Sequence, residues 1–149
     1  MNVEDSDQLI TWDEIYRFGV AEIDDQHFCL FDLLNRTWSA LKAGADTQTI
    51  LHVVEELEKY TVVHFSAEED FMCAIGYPRF AVHKAAHDQF VVRLRREKAS
   101  VSRGHMISDD MLLFLKDWLI SHILVVDREY AAFAGLRVSP NVVGRYGLC

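Results

Sequence analysis

Seven side chains able to bind a metal recur along the chain at helix-like spacings. His64 and Glu68 are four residues apart, as are His83 and His87; His122 and Asp127 are five apart, and His27 stands alone near the start. Residues four apart on an α-helix project from nearly the same side, one turn apart, so each such pair can offer two donor atoms to one ion. Imidazole nitrogen and carboxylate oxygen together suit first-row transition metals. Each pattern alone is weak, because a His–Glu pair four apart is also an ordinary solvated pair contributing about 0.2–0.5 kcal/mol.

The faces these residues occupy change that weighting. His27 has Ile23 and Phe31 four residues to either side, and His64 has Leu57 and Tyr60 before it and Phe71 after it. His83 and His87 are flanked by Phe80, Val91 and Leu94, and His122 shares its side with Leu115, Trp118 and Leu119. Every predicted helix therefore carries ionisable groups on its apolar stripe. Burying five histidines and two carboxylates without partners is costly. A metal removes the difficulty by neutralising the carboxylates and occupying the imidazole lone pairs. His122 and Asp127 do not fit a regular helix, since five residues turn the direction by about 140°. The spacing predicts a one-residue, π-type bulge between them, of the kind that gathers at functional sites; the alternative is that Asp127 reaches back to the site. His52 turns to another face and His105 falls in a predicted loop, so neither is expected to bind metal.

The elements that must position these groups are four helices. Apolar spacing predicts the first from Ala21 to Ala43, with Ile23, Phe31, Leu34 and Trp38 on one face and Gly44 as its stop. Asp46 is suited to cap a second helix to about Ile75, which Gly76-Tyr77-Pro78 ends. A third runs from Arg79 to Ser102. A fourth, capped by Ser108 or Asp109, runs to Ala134 and is closed by Gly135. Short connections between such helices predict an all-α, up-down-up-down four-helix bundle over residues 1–136. Residues 1–18 form an N-terminal arm, with Trp12, Ile15, Tyr16 and Phe18 apolar enough to pack partly on the body, and residues 137–149 a C-terminal extension.

The 149 residues are enough for one domain with a sizeable core. A net charge of -8 argues against nucleic acid or an anionic membrane as the main partner. The acidic start MNVEDSDQ predicts no signal peptide. The longest apolar run, Met111 to Val126, is broken by Lys116, Asp117 and His122, which predicts no membrane span. Three cysteines without a Cys-x-x-Cys exclude a disulfide framework or zinc–thiolate site. Cys29 and Cys73 are expected to be packed thiols, Cys149 an exposed one, and the compartment a reducing cytoplasm.

Taken in order, His27; His64-Phe65-x-x-Glu68-Glu69; His83-x-x-x-His87; Trp118-Leu119-x-x-His122; and Asp127 resemble the hemerythrin family, specifically its single-domain bacteriohemerythrins. Trp12-Asp13, Gly19-Val20, Ile23-Asp24-x-Gln26-His27, Gly76-Tyr77-Pro78 and Asp127-x-x-Tyr130 extend the likeness over residues 9–136. The resemblance implies a non-haem centre of two iron ions with an oxo or hydroxo bridge. His83, His87 and His122 would bind one iron, His27 and His64 the other, and Glu68 and Asp127 would bridge them. If each iron prefers about six ligands, the two-histidine iron falls one short, and dioxygen can take the open position. The expected function is reversible dioxygen binding for storage, transport or delivery, without enzymatic turnover. Its rivals are an oxygen- or redox-sensing module and a di-iron enzyme acting on peroxide or nitric oxide; an unidentified protein partner for delivery or signalling stays open. Five neutral imidazoles among seven ligands favour letting oxygen leave over activating it. Trp118 and Leu119 are expected to line the oxygen pocket. Gln26 and Glu69 adjoin ligands and could orient them or face solvent; the family places Tyr130 near the bridge.

Overall fold

In the computed structural model, which describes residues 8–17 and 19–137, the chain forms an all-α four-helix bundle, and no strand occurs among the described residues. Three helices, α1 (Ala21–Lys42), α2 (Thr47–Ala74) and α3 (Phe80–Ser102), precede a composite fourth rod. That rod joins α4 (Asp109–Ser121), a π-helical turn (His122–Asp127) and α5 (Arg128–Arg137).

The ends of the helices follow from local chemistry. The Asp46 carboxylate accepts the Thr49 N–H at 2.8 Å, and the Ser108 hydroxyl accepts the Met111 N–H at 3.1 Å, each satisfying a donor that the first helical turn leaves open. At the other ends, Gly44 and Gly76 take φ of 68° and 66°, the left-handed region that only glycine enters freely. The next residues then fold back: Ala45 N–H reaches the Ala40 carbonyl at 3.0 Å and Tyr77 N–H the Met72 carbonyl at 2.9 Å. This is the Schellman arrangement, which closes a helix and redirects the chain.

Cross-helix pairs show the directions. Arg36–Glu56 (3.6 Å) joins α1 to α2, Arg95–Glu58 (2.8 Å) joins α3 to α2, and Lys42–Asp109 (3.1 Å) joins the end of α1 to the start of α4. The Arg93 guanidinium lies over the Phe114 ring at 4.3 Å. In each pair of neighbours the numbers rise on one helix as they fall on the other, so the bundle runs up-down-up-down. These exposed pairs contribute little energy; they record the register.

The core is divided. One apolar cluster holds Leu30, Phe31, Leu34, Leu57, Phe65, Phe90, Leu94, Leu112, Leu115, Leu119 and Ile123. A second holds Val20, Ile23, Phe71, Met72, Tyr77 and Tyr130. Between them lies a polar layer: His27 sits between Ile23 and Leu30, Glu68 between Phe65 and Phe71, and Asp127 between Ile123 and Tyr130. The described part of the arm, residues 8–17, packs over the larger cluster. Ile10 and Asn35 exchange two hydrogen bonds (2.9 and 2.8 Å), and the Trp12 ring meets Tyr16, Phe28 and Phe31 at 5.5–5.6 Å.

Two expectations are corrected. The last helix does not close at Gly135 but continues to Arg137; Gly135 has no positive φ, and without one a glycine only weakens a helix. Cys73 is not a free packed thiol but disulfide-bonded, whereas Cys29 is free. Phe18, the extension beyond Arg137 and Cys149 lie outside the described residues.

Candidate metal centre

The four rods deliver all seven residues to the polar layer, each no more than 4% exposed. His27 comes from α1, His64 and Glu68 from α2, His83 and His87 from α3, and His122 and Asp127 from the two ends of the π turn. That turn is the bulge the five-residue spacing predicts.

The donor atoms form two groups. Glu68, His83, His87, His122 and Asp127 make one; His27, His64, Glu68 and Asp127 make the other; within each, the donor atoms lie within 4.8 Å of one another. Both carboxylates divide their oxygens between the groups. Glu68 Oε1 is 3.0 Å from His64 Nε2 and 3.3 Å from His27 Nε2, while Oε2 is 3.0 Å from His87 Nε2. Asp127 Oδ2 is 3.2 Å from His27 Nε2, while Oδ1 is 3.1 Å from His83 Nε2 and 3.0 Å from His122 Nε2.

The residues present fit a pair of metal ions. His122 Nε2 lies 2.9 Å from His83 Nε2 and 3.0 Å from His87 Nε2. Three ring nitrogens cannot all satisfy one another at that range. Donors held at right angles about 2.1 Å from one ion would, however, stand about 3.0 Å apart. Asp127 Oδ1 and Oδ2 and Glu68 Oε2 accept no hydrogen bond, although they are buried. Buried carboxylate oxygens are rarely left so, and here their lone pairs meet imidazole nitrogens.

The electrostatics describe the same cluster holding protons. Burial pulls His27 down, but contact with Asp127 and Glu68 outweighs it and lifts the imidazole to about 9. His83 reaches about 9 by the same balance. Burial also opposes the rise of His87, which Glu68 and Glu69 produce. Burial pushes Glu68 up, yet His64, His27 and His83 hold it well below the usual carboxylate range. Burial and the Glu68 charge raise Asp127, and His122 and His27 prevail to bring it to about 2. Burial and the Glu68 charge push Tyr130 well above the ordinary phenol range, so its hydroxyl keeps its proton.

A surrounding shell fixes the ligands. The Gln26 side-chain oxygen lies 2.7 Å from His64 Nδ1, and a Glu69 oxygen 3.0 Å from His87 Nδ1. Both oxygens are acceptors, so each Nδ1 donates and each Nε2 keeps its lone pair for the site. The Tyr130 hydroxyl donates to Glu68 Oε1 at 3.2 Å. Phe65 lies flat on His87, with centroids 3.8 Å apart and planes 1° apart, and Trp118 lies on His122 at 4.4 Å and 11°.

Trp118 thus covers the three-histidine side, and Leu119 is packed in the larger apolar cluster, 1% exposed. Neither lines a groove of about 430 Å³ between α2 and α3, whose lining includes Phe65, Glu69 and His87. His52 is exposed beside Glu56, and His105 bonds Ser100, both away from the site. Sequence reasoning assigned no role to Phe65; its place beside His64 and one turn before Glu69 was the available signal. Thr61, on the same stripe one turn before His64, has a buried hydroxyl without a hydrogen-bond partner.

Comparison with known proteins agrees with this geometry. Residues 19–134 match the hemerythrin HHE cation binding domain family. The chain is 32% identical over 129 residues to a bacteriohemerythrin of Clostridium acetobutylicum, covering 82% of this chain and 98% of the relative. It is 36% identical over 125 residues to a bacteriohemerythrin of Methylococcus capsulatus, covering 82% and 94%. A crystal structure of wild-type hemerythrin superposes with a TM-score of 0.77 at 33% identity, over 83% of this chain and 96% of that one. The fold, the buried His/Glu/Asp layer and these matches place the chain in the hemerythrin family.

Proposed function

We propose that the chain binds dioxygen reversibly at a di-iron centre, for oxygen storage, transport or delivery. The observation that carries this reading is the inequality of the two donor groups, which share both carboxylates but count five donors against four. In this reading His83, His87 and His122 would hold one iron and His27 and His64 the other, with Glu68 and Asp127 shared by both and an oxo or hydroxo group completing the centre. When bound, the irons would supply an electron pair and one open coordination position for dioxygen. The chain does the rest. Gln26 and Glu69 keep His64 and His87 in the metal-binding tautomer. Tyr130 holds Glu68 Oε1 on the two-histidine side. Phe65, Trp118 and Leu119 keep water and protons from the cluster, and five neutral imidazoles among the seven donors limit the negative charge that would favour oxidation. The functional unit is the bundle within residues 1–136. Among the described residues no helix is long and apolar enough to cross a membrane.

Anaerobic reduction of the iron-loaded protein followed by oxygen titration tests the proposal. A visible band that grows with oxygen and vanishes under vacuum is the expected result. Direct, irreversible passage to the ferric spectrum would overturn carriage in favour of sensing or enzymatic chemistry.

A further inference from the structure

Two of the ring nitrogens that face away from the metal layer, one in each donor group, meet acceptors of different charge. His87 Nδ1 donates to a carboxylate, Glu69, at 3.0 Å, whereas His64 Nδ1 donates to an amide, Gln26, at 2.7 Å. Both distances are good hydrogen bonds, so the difference between them is charge. A carboxylate on Nδ1–H pushes electron density through the ring onto Nε2 and makes it the stronger donor; a neutral amide oxygen does so less. His87 belongs to the group of five donors and His64 to the group of four. The charged acceptor therefore supports the position already richer in ligands.

We propose that Glu69 and Gln26 are positioning residues that set the two metal positions to unequal affinity, with the His83/His87/His122 position held tightly by the Glu69 charge and the His27/His64 position left weaker by the neutral Gln26. This rests on the reading of the layer as a two-metal site. The chain thereby keeps an anchored ion beside a more weakly ligated one, and the weaker position is the one with the vacancy. Glu69 also lies on the floor of the 430 Å³ groove with Lys84, Asp88 and Arg95, so the supporting charge sits where solvent can reach it; its side chain is 20% exposed. Gln26 is half-buried between α1 and α2.

Cobalt(II), which stays divalent under anaerobic conditions and reports coordination in the visible spectrum, is the probe. Chelator competition on the full chain gives two dissociation constants. Glu69→Gln keeps an acceptor for His87 Nδ1 but removes the charge, and should weaken the tighter step by about 10-fold while leaving the weaker one in place. Gln26→Glu adds the charge on the other side and should tighten the weaker step, so that in both variants the two constants approach each other. A purely structural role for the acceptors predicts that Glu69→Gln matches the parent and only Glu69→Ala weakens binding; that result would overturn the inference. A parent chain that takes up fewer than two cobalt ions would instead overturn the two-metal reading beneath it. Helical circular dichroism of each variant excludes misfolding as the cause of a change.

Discussion

Phe65→Ala separates packing from protection of the site. The ring is 3% exposed, stacked on His87, and in contact range of Phe90 and Trp118 at 5.8 and 5.9 Å. Truncating a buried phenylalanine costs about 3–5 kcal/mol, the upper part of which is the penalty for a closed void. Phe65 borders the open groove, so water can fill the space it leaves and the loss should fall near ~3 kcal/mol. The same water then reaches the face of His87. Phe90 is the control: it is 2% exposed, packs on Trp118 at 4.3 Å and does not line the groove. Phe90→Ala should leave a closed void and cost ~4–5 kcal/mol, with less effect on the irons. Urea unfolding at fixed metal load measures the stability order, and the rate of ferric formation in air measures protection. The reasoning predicts that the less destabilised variant, Phe65→Ala, oxidises faster. Oxidation at the parent rate in Phe65→Ala, or faster in Phe90→Ala, would refute it.

Leu119→Asn places an amide where the core offers no partner, at a cost of about 1–3 kcal/mol, and should admit water and speed ferric formation; parent-like oxidation rates would remove Leu119 from the protective wall. His64→Ala leaves the two-histidine position with one imidazole, so metal content by elemental analysis should fall from two per chain toward one, and a value still near two would break the assignment. Metal uptake should release protons: at ~pH 7.5 an imidazole lifted to about 9 is roughly 97% protonated, so His27 and His83 together give up about two protons on binding. Calorimetry in buffers of different ionisation enthalpy reads that number, and release should fall as the pH rises through 9; no buffer dependence would refute it. Deleting Val125, which is 61% exposed in the π turn, should let the rod continue as a regular α-helix with His122 and Asp127 four apart, so metal content should stay near two. Loss of both metals would show that the bulge does more than absorb one residue.

How much of this was legible in the sequence depended on whether a feature was set within one helix or between helices. The caps at Asp46 and Ser108 and the stops at Gly44 and Gly76 are local chemistry, and the structure has them where the residues predict. Gly135 misled because a glycine signals a helix end only when the chain also needs a positive φ, and here it does not. The acceptors Gln26 and Glu69 were ambiguous because each is only partly buried on its own helix. Only the approach of α1 to α2 brings Gln26 to His64, and only that of α3 to α2 brings Glu69 to His87. Trp118 was expected to line an oxygen pocket because it precedes His122 by one turn, and its ring stacks on His122.

The π turn shows why a spacing that looks wrong can be the most informative one. In a regular helix Asp127 would point about 140° away from His122 and could not share the layer with it. Widening one turn lets five residues complete a single circuit, and both residues then face the same point, with Asp127 Oδ1 3.0 Å from His122 Nε2. The widening also keeps the downstream phase, so that Tyr130 on α5 still reaches Glu68 on α2. A buried carboxylate and imidazole at positions that a regular helix would set apart are thus brought to pairing distance by the turn itself. Their spacing therefore pointed to a bulge that the regular pairs could not reveal, while the case for a metal came from the apolar faces that all four helices give these residues.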